Sequence, residues 1–168
     1  MLNILVLCTG NSARSILGEA LINARGQGRV AGYSAGSAPT GTPNPLALET
    51  LAAHGLPATG YSSKSWDVFS AADAPVLDAV ITVCDSAAAE VCPVWPGAPV
   101  KTHWGLPDPA AIADAETARK AFHDTFNTLD ARITALIAAL DGDDRDALKR
   151  AFDTLNARPN DTPQDTPA

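Results

Sequence analysis

Cys8 and Arg14 are separated by a short run of small or polar residues, Thr9-Gly10-Asn11-Ser12-Ala13, and Ser15 follows at once. A cysteine thiolate is a nucleophile, and an arginine fork matches the oxygens of a tetrahedral oxyanion bidentately. Small polar residues between them let the backbone curl so that several N–H groups converge on one anion. Asp108 stands between Pro107 and Pro109, so its carboxyl is stiffly presented. It can be a general acid for a departing oxygen or simply a turn residue. The remaining two of the three cysteines are Cys84 and Cys92. They read either as extra thiols for exchange chemistry or as buried small hydrophobes. None of the histidines His54, His103 and His123 adjoins Cys8 in sequence, so a Cys–His protease pair is not indicated.

These residues need a scaffold, and the hydrophobic pattern supplies one. The run from Leu2 to Leu7 reads as a buried strand, and Ile16 to Ile22 reads as a helix with Leu17, Ala20, Leu21 and Ala24 on one face. Cys8 is therefore predicted at a strand end and Arg14 at a helix start, where unpartnered amides hold anions and favour a thiolate. Gly10 is expected to provide the unusual backbone conformation of the loop, and Asn11 and Ser12 to tie it to itself. A second strand is predicted over Val30–Ala35, and a helix from Pro45 to His54, with Asn44 as cap and Gly55 as stop. A helix is expected to start within Ser62–Phe69. A third strand over Asp78–Val83 delivers Cys84, as the first delivers Cys8. In a parallel sheet both ends face one side, so these two thiols can meet. Asp85–Cys92 has helical propensity, and Pro93, Pro96, Gly97 and Pro99 then break any regular structure. Val100–Trp104 gives a fourth strand or connector. From Glu116 to Leu140 the series Phe122, Phe126, Leu129, Ile133, Leu136, Ile137 and Leu140 recurs at helical spacing.

The segment Cys8–Ser15, CTGNSARS, resembles the phosphate loop of the low-molecular-weight protein tyrosine phosphatases. It is closest in motif to the arsenate reductases on that fold, of the three-cysteine, thioredoxin-linked type. Val83-Cys84, Cys92-Pro93, His103-Trp104-Gly105 and the Asp108-Pro109 pair extend the likeness, which runs from about Leu2 to Leu140. It implies an α/β fold with a four-stranded parallel sheet and helices on both faces. It also implies an oxyanion cradle at Thr9, Gly10, Asn11, Ser12, Ala13, Arg14 and Ser15, with Cys8, Arg14, Cys84, Cys92 and Asp108 catalytic. Cys8 would attack arsenate, Asp108 protonate the leaving oxygen, Cys84 attack Cys8 to release arsenite, and Cys92 attack Cys84. The resulting disulfide needs an external thiol reductant, thioredoxin or glutathione with glutaredoxin, and the cell would use the reaction in arsenic detoxification. The interval from Cys84 to Cys92 is one residue longer than in the best-known thioredoxin-linked members, which leaves the reductant open. Ala110 and Ala111 stand where phosphatases of this type usually carry an aromatic residue, so a small substrate fits better than phosphotyrosine. The resemblance also implies potassium beside the loop at Asn11, Glu19, Ser34 and Asp67, with no tightly bound cofactor. The alternatives are a small-substrate phosphatase using Cys8, Arg14 and Asp108, and a non-enzymatic oxyanion-binding or arsenite-binding protein.

The chain of 168 residues suits one domain over residues 1–140, with a helical extension over 141–157 and a disordered tail over 158–168 rich in Pro, Asp and Thr. A net charge of -7 with only 12 Lys and Arg leaves no basic stripe for nucleic acid. No apolar run approaches a membrane span, and the N-terminus has no secretory pattern. A cytoplasmic monomer is expected, with its thiols reduced.

Overall fold

The computed structural model describes residues 1–89 and 93–157; Cys92 and the predicted tail 158–168 lie outside them. Four strands form one sheet: β1 (Leu2–Cys8), β2 (Val30–Gly36), β3 (Ala79–Thr82) and β4 (Val100–His103), in the order β2-β1-β3-β4. All pairings are parallel, and the register sets Leu7 beside Thr82 and Cys8 beside Gly36. The chain leaves β1 for one neighbour and later returns on its other side. The crevice beyond the carboxyl ends of β1 and β3 is thus the switch point at which such sheets bind ligands.

Alternation along β1 divides the interior. Ile4, Val6 and Cys8 face a large apolar cluster, and Leu5 and Leu7 a smaller one. The large cluster is built by α1 (Arg14–Arg25), α2 (Pro45–Ala53), α4 (Ala115–Ala139) and α5 (Arg145–Asn156), and Ala87 of the short α3 (Asp85–Ala89) joins it. The small cluster is roofed by the 3₁₀ turn Trp66–Ser70, through Phe69, and by Trp95. The predicted stripe of α4 is buried throughout, and each of Phe122 and Phe126 adds about 1.5–3 kcal/mol by leaving water. On α1 the buried face is Ile16, Leu17, Ala20, Leu21 and Ile22; Ala24, expected on that face, is exposed. Leu148, Phe152 and Leu155 of α5 enter the same core, and Phe152 meets Trp104 edge-on at 6.1 Å. Among the described residues no helix is long and apolar enough to cross a membrane.

The helix starts differ in a way that matters. Asn44, Asp114 and Asp144 cap α2, α4 and α5 through their side chains. Ala13, at the head of α1, has no capping side chain. The first-turn amides of the one helix that follows Cys8 are thereby left for another acceptor.

Candidate active site

The loop between β1 and α1 is held by its carbonyls. Thr9 O accepts from the Ala38 amide, Gly10 O from the Thr40 amide and the Ser63 hydroxyl, and Ser12 O from the Asn44 amide. In a trans peptide the next N–H points away from the carbonyl, so these contacts turn the amides of Gly10, Asn11 and Ala13 to the opposite side. The strained residue is Asn11, with φ 45°, and not Gly10 as the sequence suggested. Asn tolerates the left-handed region better than other side chains. Gly10 has a steric role instead, since a Cβ there would lie 3.3 Å from the Thr40 methyl. Gly36 is needed for close approach, because a Cβ would come within 2.3 Å of Thr9 O.

Asn11 and Ser15 are fully buried and complete the nucleophile's surroundings. Asn11 Nδ2 donates to Ser15 Oγ at 2.8 Å, and Ser15 Oγ lies 3.0 Å from Cys8 Sγ. With its oxygen accepting from Asn11, the Ser15 hydroxyl has its own proton to give to the sulfur. Asn11 Oδ1 accepts from the Lys64 amide at 2.9 Å, which binds the loop to the segment before the 3₁₀ turn. The tie from Asn11 to Ser15 matches the local bonding expected of the loop; its continuation to Cys8 was not foreseen.

Arg14 connects the loop with the proposed acid. Its Nη1 donates to Leu106 O at 2.8 Å, and its Nη2 lies 3.7 Å from Asp108 Oδ2. The other Asp108 oxygen accepts from the Ala110 amide at 3.0 Å, capping the 3₁₀ turn Pro109–Ala111. Asp108 is therefore a turn residue with one oxygen and faces the arginine with the other. A cavity of about 220 Å³ lies beside it, lined by Leu106, Ile112 and Thr125 among others. A larger cleft of about 500 Å³ sits away from Cys8, between the end of α1 and α4. Its Arg25 and Arg29 are paired with Asp130 and Asp143, so no free arginine fork faces an anion there.

The strand register brings the second thiol to the same crevice. Val83 N donates to Leu7 O, so Cys84 emerges just beyond Cys8 on the neighbouring strand; both cysteines are reduced and buried. Thr9 Oγ1 and Cys84 Sγ are 3.5 Å apart, a link between the Cys8 loop and the second thiol that the sequence did not reveal. The Ala87 amide of α3 also donates to Cys84 Sγ, at 3.4 Å. The third cysteine, Cys92, falls outside the described residues.

The four residues proposed for potassium are only partly gathered. Ser34 Oγ donates to Glu19 Oε2 at 3.3 Å. Asp67 is exposed on the next turn, where Oδ2 accepts from Ser65 Oγ. Burial pushes the Glu19 carboxyl up, against the attraction of Lys64 and the hydrogen bonds from Ser34. Burial pushes the Lys64 ammonium down, and Glu19 opposes this. Among the described residues there is no cluster of three or more His, Cys, Asp or Glu able to hold a metal.

A family model for low molecular weight phosphotyrosine protein phosphatases matches residues 3–146. The chain belongs to this family. Among curated members, the arsenate reductase of Bacillus subtilis is 33% identical over 116 residues, which are 69% of this chain and 80% of the relative. A solved arsenate reductase in the phosphate-binding state aligns with a TM-score of 0.67 at 25% identity, over 82% of this chain and 98% of that one. The thioredoxin-dependent arsenate reductase of Corynebacterium glutamicum aligns with a TM-score of 0.59 at 28% identity, over 79% of this chain and 58% of that one. The four-stranded parallel sheet with its helices is thus the fold of this family.

Proposed function

We propose that this phosphatase-family chain reduces arsenate to arsenite and passes the oxidising equivalents to a thiol reductant. The observation that carries the reading is the pairing of two thiols at one crevice, with Thr9 touching Cys84 from the Cys8 loop. A phosphatase of this fold needs only Cys8, Arg14 and Asp108.

In the first step the Cys8 thiolate attacks arsenic, with Thr9 to Ser15 cradling the oxyanion and Arg14 turning its fork toward the oxygens. An arsenic oxygen leaves as water, taking a proton from Asp108, and a Cys8–arsenic(V) adduct forms. The Cys84 thiolate then attacks the Cys8 sulfur. The sulfur–arsenic bond breaks with its electron pair going to arsenic, which departs as arsenite, and the two thiols become a disulfide. Attack of Cys92 on Cys84 frees Cys8 and leaves a Cys84–Cys92 disulfide for an external dithiol to reduce. The Corynebacterium relative is thioredoxin-dependent, which favours thioredoxin as reductant over glutathione with glutaredoxin. Steady-state turnover of arsenate with each system tests this. Turnover with thioredoxin, lost on replacing Cys92, supports the relay; equal turnover without Cys92 removes that residue from it. Hydrolysis of phosphate esters with no arsenite formed would assign the chain to the phosphatases.

Asn11, Glu19, Ser34 and Asp67 are the groups that would hold potassium, and their oxygens suit a hard cation. Asn11 Oδ1 and Asp67 Oδ2 are each engaged by neighbours, and Lys64 already attracts Glu19. No step is therefore routed through the ion, and its role would be to steady the loop. Melting in potassium chloride against choline chloride checks it: a higher Tm in potassium, lost in Glu19→Gln, is expected of a bound ion.

A further inference from the structure

We propose that His103 is a positioning residue for the second thiol step, clasping both flanks of Cys84 so that its sulfur stays aligned with Cys8. The proposal rests on the reading that Cys84 attacks Cys8.

His103 ends β4, and both ring nitrogens are engaged. Nδ1 lies 2.7 Å from Thr82 Oγ1, on the residue two before Cys84. Nε2 lies 2.9 Å from Asp85 Oδ1, on the residue immediately after it. The main chain follows the same course, since Trp104 N donates to Thr82 O and Leu106 N to Val83 O. Residues 103–106 therefore grip both sides of the cysteine. As a surface pair, His103 and Asp85 contribute little to stability, for the Asp85 side chain is 96% exposed. The two bonds fix geometry instead, because a rigid ring spans the distance between them.

That geometry matters here for two reasons. The Ala87 amide that donates to Cys84 Sγ lies in the first turn of α3, so the placement of that turn sets the place of the sulfur. Displacement at sulfur also needs an aligned approach, and a shift of about 1 Å can cost 10²-fold in rate. The clasp keeps Thr82 to Asp85 in place for attack on Cys8. His103 touches neither arsenic nor sulfur in this step; the Cys84 thiol proton is lost to solvent before attack.

Gly105 offers a second way to test the clasp. A Cβ there would lie 2.9 Å from His103 Nε2 and 3.2 Å from Asp85 Oδ1, so Gly105→Ala wedges the pair apart without removing either partner. The experiment is a rapid-quench single turnover of the reduced full chain with arsenate, run alongside iodoacetamide alkylation of Cys8. His103→Leu and Gly105→Ala should each slow arsenite release about tenfold, the loss of one charge-assisted bond, with Cys8 alkylation unchanged. His103→Gln, which can still donate to Asp85 and accept from Thr82, should recover most of the rate. Release at the parent rate in both slow variants would overturn the proposal. So would equal slowing of Cys8 alkylation, or failure of the glutamine to rescue. If the parent chain itself released no arsenite and kept its Cys84 thiol, the relay would fail, and the clasp with it.

Discussion

The nucleophile is surrounded by residues that do two things at once. Ser15 contacts the Cys8 sulfur and is itself held by Asn11, whose other end is bound to the Lys64 amide. Asn11→Ala should cost about 1–3 kcal/mol by leaving buried partners unsatisfied, measurable by denaturant melts, and should weaken oxyanion binding. Cys8→Ser retains the shape of the loop but supplies an alcohol in place of a thiolate, so arsenate turnover should fall to background. Asp108→Asn separates the two tasks of that residue, since the amide oxygen can still cap the Pro109–Ala111 turn but the side chain has no acidic proton. Its first chemical step should slow about 10²–10⁴-fold with arsenate affinity nearly unchanged. A parallel loss of affinity would mean that Asp108 acts through loop structure. Of this layer the sequence disclosed the loop, the arginine and the acid. It hid Ser15 as the partner of the sulfur, because a hydroxyl seven positions away meets Cys8 only after Asn11 takes a left-handed turn.

At the scale of elements, strands and helices were legible because their apolar periods are strong, and α2 even shows the expected Asn44 cap and Pro45 start. The predicted helix near Ser62–Phe69 is a single 3₁₀ turn, held at its start by Ser65 accepting from the Asp67 amide. Side-chain contacts between helices were not legible, since they join residues far apart in sequence. The bond from Arg25 on α1 to Asp130 on α4 is one of these, and it holds the Asp130 carboxyl below its ordinary range. A lowered carboxylate pKa adds stability that is present above the unfolded value and lost as pH falls through the folded one. Asp130→Asn should therefore lower stability by about 0.5–1 kcal/mol at neutral pH. The deficit should begin to shrink as pH falls below about 4, the ordinary carboxyl value, and close only once pH has passed below the lowered value of the folded state. A deficit independent of pH, seen in melts from pH 3 to 7, would count against the charge as its cause.

The whole molecule is a parallel sheet whose switch point gathers two thiols, an arginine and an acid from three separate segments. The order β2-β1-β3-β4 sets β3 beside β1 in parallel, and that adjacency makes the ends carrying Cys8 and Cys84 neighbours. The sequence anticipated that meeting from two strand ends, but the clasp of His103 on the flanks of Cys84 needed the register of β4. The helix α5, expected as an extension, contributes to the same core, and its Arg145 donates to Leu77 O, just ahead of the strand that leads to Cys84. Arsenate reduction by one chain through its own thiols is tested most directly by mixing the fully reduced protein with arsenate and no other reductant, then measuring arsenite, free thiols and the disulfide formed. One arsenite per chain, two thiols lost and a Cys84–Cys92 bond is the predicted result; no arsenite with all three thiols intact would contradict it.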